Sequence, residues 1–415
     1  MAKPKLALIP ATQGSKLYSV LPADGVGDFN FSRNTVATRI NKDGLIETVA
    51  VGKSRLNYPL IDGVVNGCPS VLLEPTRSNL ITKSEDIEGF SQKTNVTITN
   101  NQTTSPDGNI NASNVIPINV NNIHQIQNTP ISFISGADYT VSAFVKANGY
   151  NYFSIKFAST LGVFSDDLAW FNVSNGTTGT ISPNIDDTSI EDYGNGWYKI
   201  TATQQANATG NGKIFLGISN ADNTPIFLGN GSSGIYIWGY QVEQGSYATS
   251  YIPTSGSAVT RVADTANGAG DASTFNDSEG VLYVETSALS NDLSERRFGL
   301  SDGTSSNVVR VGYTSISNRI IAVIYNGSNQ AVMTYTSPDI TQNSKIAVKY
   351  KANDFALWVD GVKRSTDTSG SVFTANTLNS LDFNIGGGSH FYSETKDVRV
   401  YNTALTDAEL QTLTT

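Results

Sequence analysis

The chain reads as an all-β protein: two antiparallel β-sandwich (jelly-roll) domains preceded by an extended N-terminal arm. Three observations predict this. Apolar and polar residues alternate at period two in one segment after another, the spacing that sends every second side chain to one face of a strand. Asp-Gly and Asn-Gly pairs recur between those segments, where tight turns need positive φ. Only 15% of the 415 residues are charged while 37 are glycine, a composition of short strands and polar turns rather than of helices.

Residues 1–78 differ from the rest and form the predicted arm. They hold Arg33, Arg39, Lys42, Lys53, Arg55 and Arg77, with turn signals at Asp24-Gly25, Asp43-Gly44 and Asp62-Gly63. Segments 35–40 and 45–49 have the pattern of paired strands, but the apolar mass is too small for a separate core. A small β element that docks onto something else is the expectation.

Residues 79–254 are predicted as the first sandwich. Segment 138–146 puts Tyr139, Val141, Ala143 and Val145 on one face. Segments 152–157, 169–173, 196–202, 214–218, 234–238 and 241–243 follow at sandwich spacing. The stretch 255–277, rich in Ser, Ala, Gly and Asp, is predicted as a linker and hinge.

The second sandwich is predicted over 278–415. Segment 281–285 opens it. Segment 320–325 is apolar on both faces and is therefore predicted to be central, returning through 326–329 to 331–335. Segment 345–350 alternates Ile346, Val348 and Tyr350 against Lys345 and Lys349. Segment 355–359 runs into Asp360-Gly361, a pair suited to a tight hairpin, and 397–401 is the closing strand. Thr406 and Glu409 stand three apart, the capping box of a short terminal helix.

The order "KIAVKY … FALWVDGVK … NIGGG … KDVRVYNTALTDAEL" resembles the concanavalin A-like, laminin-G-like lectin/glucanase domains of phage and bacterial surface proteins, over about residues 275–415. The series "YTVSAFVKA … NGWYKITAT … IYIWGYQVEQGSYATSYIPTSGSAVTRVAD" is similar to carbohydrate-binding jelly rolls. "FNFSRNTVATRINKDGLIETVAVGKSRLNYP … GCPSVLLEPTRSNLI", about residues 29–81, resembles the N-terminal segment of phage tail-fibre and virion structural proteins. These resemblances imply a virion protein made in the host bacterial cytoplasm and exposed on the virion surface. They imply attachment to other virion proteins through the arm, with Arg33, Arg39, Arg55 and Arg77 as anchoring candidates, and a homo-oligomer, commonly a trimer. In the similar jelly rolls a buried calcium is often held by an acidic pair near the first strand and an aspartate in the last. Glu85 and Asp86 supply the pair, whereas Trp238-Gly239 stands where the aspartate would be.

Composition excludes several classes. A formal charge of −9 without any Lys/Arg run opposes a nucleic-acid role. No apolar run is long enough to span a bilayer, so no membrane insertion is expected. The start has a basic beginning but an apolar run broken by Pro10, a poor secretion signal. One cysteine, Cys68, rules out an intrachain disulfide and fits folding in a reducing cytoplasm.

Catalytic material is scarce. His124 and His390 stand far apart in sequence with no HExxH or CxxC partner, so nucleophilic triads and zinc sites have almost nothing to draw on. Catalytic members of the lectin-like superfamily carry closely alternating acids on one strand, and none occur between Val281 and Tyr401. The pairs Asp166-Asp167, Asp186-Asp187 and Glu191-Asp192 fall in predicted loops, where solvated carboxylates are the ordinary expectation.

Glycan binding is the positive chemistry that remains. Sugar rings stack their C–H faces on aromatic rings while Asn, Asp and Gln satisfy hydroxyls. Tyr150, Tyr152, Trp170 and Tyr193 are candidates in the first sandwich, and Tyr313, His390 and Tyr392 in the second. Ordinary packing is the competing role for each tyrosine; Trp197, Trp238 and Trp358 sit inside apolar alternation and are assigned to the core. The sequence therefore predicts a non-enzymatic virion fibre or decoration subunit that displays glycan-binding sandwiches. A virion-associated polysaccharide depolymerase and a purely structural protein are the rivals.

Overall fold

The computed structural model describes residues 2–13, 16–90, 92–158 and 162–415. Among these residues the structure is two β-sandwiches with one α-helix, Asp407–Thr414.

The middle sandwich packs two six-stranded antiparallel sheets. One runs in the order Gln92–Thr94, Gln125–Gln127, Ile214–Ser219, Tyr152–Phe157, Asp167–Asn172, Thr177–Ile181. The other runs Val96–Thr104, Ile110–Pro117, Gly234–Gln244, Asp138–Asn148, Trp197–Gln205, Asp187–Asp192. Tyr139, Val141, Ala143 and Val145 enter the core against Phe153, Ile155 and Phe157, the face that the alternation assigns. Segments 234–238 and 241–243 belong to one strand. Its pairing slips between Ser142 and Phe144, and Gly239, at φ +62°, lies where Ile235 and Ile237 hand the inward face to Tyr240 and Val242. One extra residue at a bulge reverses the face.

In the C-terminal sandwich a five-stranded sheet has the order Asn329–Thr336, Arg319–Asn326, Asn307–Tyr313, Arg296–Ser301, Ser380–Asp382. Arg319–Asn326, the segment apolar on both faces, is flanked on both sides. The facing eleven-stranded sheet includes Glu279–Ala288, Ser344–Lys351, Phe355–Val359 and Val362–Asp367. Asp360 and Gly361, at φ +49° and +73°, make the tight turn before Val362. Thr406 caps the helix through a complete capping box, and Leu410 and Leu413 pack on Tyr283, Ala347 and Trp358 outside the sheet.

The expected arm and hinge are corrected by the sheet pairing. Leu6–Gln13 pairs with Ser393–Tyr401, with Leu6 opposite Val400, and Lys16–Leu21 and Phe29–Ser32 extend the same sheet outward. Ser70–Leu73 also pairs with Ser393–Tyr401. Within 255–277, Val259–Arg261 pairs with Arg77–Asn79, and Thr265–Asn267 pairs with Phe29–Ser32. The first and third segments are therefore parts of the C-terminal sandwich. Two hairpins from the first, Ala37–Ile40 with Ile46–Val49 and Leu60–Ile61 with Val64–Val65, turn instead toward the middle sandwich. Ile46 lies there in a cluster with Phe144, Trp197, Trp238 and Tyr251.

A buried ionic network joins these segments. Arg33 donates to Asp264 at 2.9 Å, Arg55 to Glu74 at 2.5 Å and to Asp264, and Arg261 pairs with Glu74 at 2.8 Å. The Ser250 hydroxyl donates to Glu74 at 2.6 Å and accepts from Arg55 and Arg261, each at 2.8 Å. Arg33 and Arg261 also donate to the carbonyls of Ala50 and Pro75. Burial opposes the charge on Glu74, yet Arg261, Arg55 and Ser250 hold its carboxyl well below the usual range. This corrects the anchoring role expected for Arg33 and Arg55, whose side chains have no exposed surface.

Candidate functional site: a groove between the sandwiches

On the strand Trp197–Gln205, Ile200 and Ala202 face the core of the middle sandwich, so Trp197, Lys199, Thr201 and Thr203 face outward. Glu191 stands opposite Lys199 on the neighbouring strand, and Ser189 opposite Thr201. A groove of ≈700 Å³ opens between this outer face and the C-terminal sandwich. Tyr193, Glu191 and Lys199 line one wall, Thr341, Gln342 and Glu394 the other, with Asn57, Tyr58 and Tyr247 between. It continues through Lys199 and Tyr247 into a space of ≈760 Å³ that adds Asp187, Ser189, Thr201 and Asn291.

The groove is built by contacts that fix its rings. Tyr193 meets Phe144 edge-on, with centroids 4.9 Å apart and planes at 81°. Burial pushes its hydroxyl up to about 12. Gly194 behind it abuts Gly63 at the tip of a hairpin. A Cβ on Gly63 would stand 2.3 Å from the Gly194 nitrogen, and both glycines have positive φ. Tyr247 carries the Arg77 guanidinium 5.2 Å from its centroid. The Lys199 side chain has no hydrogen bond or ion pair among the described residues. Burial opposes its charge, but Tyr193, Glu191, Glu243 and Glu74 outweigh burial and raise it to about 12. Burial raises Glu394, against hydrogen bonds from Asn57 at 2.7 Å and Ser70 at 3.1 Å.

Of the seven glycan-binding candidates read from the sequence, Tyr193 lines the groove. Tyr150, Trp170 and Tyr313 are corrected to buried positions. Tyr150 accepts from the Asn230 amide at 3.1 Å and packs on Phe227. Trp170 is 2% exposed beside Gly179, over which Asp222 closes by accepting from Thr180. Tyr313 stacks on Phe391 in the core. Tyr152 lies half-buried on the outer face of the other sheet. His390 and Tyr392 stack in parallel, with centroids 5.3 Å apart and planes at 1°, and burial lowers the His390 pKa. Arg39 lines the groove but pairs with Glu47.

Glu85 and Asp86, the pair expected to hold calcium, have different hydrogen-bond partners. Glu85 accepts from the Tyr251 hydroxyl at 2.9 Å and is raised by burial. Asp86 accepts from the Gly89 amide at 3.0 Å and pairs with Lys83 at 3.1 Å. Among the described residues no group of three or more His, Cys, Asp or Glu side chains is placed to hold a metal. No helix among them is long and apolar enough to cross a membrane.

The sequence missed Tyr58, Tyr247, Lys199, Gln342 and Glu394. Lys199 carried a usable signal, since it falls on the polar side of an alternating strand beside Tyr193. The others lie where separate segments converge, which no local pattern shows.

Residues 287–411 match the family described as the concanavalin A-like lectin/glucanases superfamily, Laminin_G_3. That stretch is most of the C-terminal sandwich. No curated protein matches the chain. Solved structures are similar at a distance. The Ruminococcus gnavus IT-sialidase CBM40 is 16% identical over 35% of this chain and 87% of its own, with a TM-score of 0.30. Domain 4 of AbnA, a GH43 extracellular arabinanase from Geobacillus stearothermophilus, in complex with arabinotriose, is 13% identical over 41% and 82%, at 0.27. Domains LG4-5 of the mouse laminin alpha1 chain are 11% identical over 81% and 90%, at 0.23.

Proposed function

We propose that the protein binds glycans without transforming them, and that the groove between its sandwiches takes the carbohydrate chain. The observation that carries this is the lining: Tyr58, Tyr193 and Tyr247 stand beside Asn57, Gln342, Glu191 and Lys199. Aromatic rings stack on the C–H faces of sugars, and amides, carboxylates and an unpaired ammonium meet the hydroxyls. The volume is that of a small-ligand cleft, but the polar lining suits a hydrated chain. Tyr193→Ala is expected to weaken polysaccharide binding about tenfold, or about 1.4 kcal/mol, in affinity electrophoresis, with the circular dichroism unchanged. Equal retention of a folded variant would remove the groove as the site.

The resemblance of residues 29–81 supports placing the protein on a bacteriophage particle, as a homo-oligomeric subunit attached to other virion proteins. Attachment then falls to groups other than Arg33 and Arg55. Labelling of intact particles with an antibody to this chain tests that placement.

One observation favours a second reading, a polysaccharide depolymerase. Glu394 is a carboxyl in the groove raised by burial, with Glu191 also lining it, and glycosidases use two carboxyls of unequal acidity. Both hydrogen bonds to Glu394 favour its ionised form, which suits binding better than proton donation. The wild-type protein is expected to release no reducing ends from any polysaccharide it retains. Release that disappears in Glu394→Gln would establish the depolymerase instead.

A further inference from the structure

The outer face of the five-stranded sheet in the C-terminal sandwich carries a charge pattern that the groove does not use. Phe298, Leu300, Val309, Val311, Ile320 and Ala322 point into the core, so the residues between them point out. The pairings run Arg297 opposite Gly312 opposite Ile321, and Gly299 opposite Arg310 opposite Val323. Two arginines and two glycines thus form a checkerboard in which each arginine faces a position without a side chain. Arg319, two residues before Ile321, is diagonal to Gly312. Opposite Cβ positions on such a face are about 5 Å apart and diagonal ones about 7–8 Å. Gly312 is therefore the floor of a shallow hollow with Arg297, Arg310 and Arg319 around it. Close approach of the strands requires both glycines: a Cβ would stand 1.8 Å from the Arg296 carbonyl oxygen at Gly312, and 2.2 Å from that of Val309 at Gly299.

The positive charge there is poorly matched. The side chains of Arg310 and Arg319 make no hydrogen bond or ion pair among the described residues. The Nε groups of Arg297 and Arg319 are shielded from water without an acceptor. Burial, and then repulsion from Arg297, lower the pKa of Arg310. The acid beside them is Glu295, itself exposed, which pairs with Arg297 at 2.7 Å. Asp382, opposite Gly299 on the edge strand, accepts instead from the Gly268 amide at 2.7 Å and from Ser301. His390, bridged beside Arg297, shares its Nε2 with Asn384. Three cations against one exposed carboxylate stand out in a chain of formal charge −9.

We infer that this hollow is an oxyanion subsite that takes the sulfate or carboxylate group of an acidic polysaccharide. Guanidinium forks pair with the two oxygens of such a group, and the glycine floor lets the group approach the sheet. The footprint is that of one or two charges. A nucleic acid needs a longer basic track and would meet the acidic remainder of the molecule. The subsite shares no residue with the groove and stands or falls independently of it.

The test compares the full-length protein with dextran sulfate, polygalacturonate, uncharged dextran, inorganic sulfate and single-stranded DNA at low and raised salt. Dextran sulfate and polygalacturonate are expected to bind about tenfold more tightly than dextran, with an advantage that fades as salt rises. Inorganic sulfate is expected to compete beyond the effect of chloride at equal ionic strength. Arg310→Gln and Arg319→Gln, both at half-exposed positions, are expected to abolish the advantage, while Tyr193→Ala leaves it intact. The inference is overturned if the charged polymers bind no better than dextran, if the double variant keeps the advantage, if inorganic sulfate fails to compete, or if DNA binds as tightly as dextran sulfate.

Discussion

Arg55→Ala is expected to lower the free energy of unfolding by about 3–5 kcal/mol, because it strips two buried carboxylates of charge-assisted hydrogen bonds that water cannot replace. Arg55 is fully buried and serves two acids at once, Glu74 and Asp264. Its loss leaves Glu74 with Arg261 and Asp264 with Arg33. Arg39→Ala, at a solvent-accessible pair with Glu47, is the control and is expected to cost less than about 1 kcal/mol. The sign of the pH dependence follows from Glu74. Its folded pKa is depressed, so its contribution is complete above the unfolded value near about 4.3 and is lost as pH falls below it. Glu394, raised by burial, has the opposite slope: its contribution is lost as pH rises from about 4.3 through its folded pKa. Glu74 therefore contributes to the acid limb, beside other lowered carboxyls such as Asp302 and Asp339, and the limb should be shallower in Arg55→Ala, whose Glu74 has one guanidinium fewer. Urea titrations of both variants between neutral pH and acid measure this. A cost for Arg55→Ala no larger than that for Arg39→Ala would show that the network does not hold the segments together.

What the sequence disclosed is what local geometry encodes. Segment 355–359 with Asp360-Gly361 and the Thr406 cap are each complete within a few residues, and the structure has them where the pattern places them. The alternation over 138–146 likewise names its buried face. The N-terminal segment was illegible for the opposite reason. Leu6 pairs with Val400, and nothing near Leu6 announces a partner that distant. Arg33 and Arg55 have the spacing of surface charges, and Asp264 sits in a stretch with linker composition, yet all three converge in one buried network. In the strand Asp187–Asp192 acids outnumber the one apolar residue, Ile190, so the local pattern points to a loop. The segment is an edge strand, where charge on the open side is ordinary. Among the site candidates, Trp170 and Tyr313 take packed positions, as rings inside strands do, and Tyr150 packs on Phe227 from the turn between two strands. Tyr58 and Tyr247 lie outside regular strands, where period carries no information.

Deletion of residues 1–78 is expected to unfold the C-terminal sandwich rather than free it from an anchor. The segment supplies Leu6, Leu8, Leu17, Phe29, Phe31, Val71 and Leu73 to that sandwich's core. At about 1.5–3 kcal/mol for each buried side chain, their loss exceeds about 10 kcal/mol, against a total stability of about 5–15 kcal/mol for an ordinary domain. Deletion also strips the partners of Ser393–Tyr401 along Val398–Val400, exposing a central strand as a sticky edge. It removes Arg33, Arg55 and Glu74 as well, leaving Asp264 and Arg261 buried without their partners. The middle sandwich has a different dependence. Its main core is drawn from within 79–254, and it loses outer contacts: the cover that Ile46 provides over Phe144, Trp197 and Trp238, and those of Gly63 on Gly194 and Arg77 on Tyr247. The 79–415 chain should therefore aggregate, or show a protease-resistant middle sandwich joined to a degraded C-terminal one. A soluble 79–415 chain that resists protease throughout would mean that the N-terminal strands decorate the sheet without being needed by it, and the anchoring-arm reading would stand again.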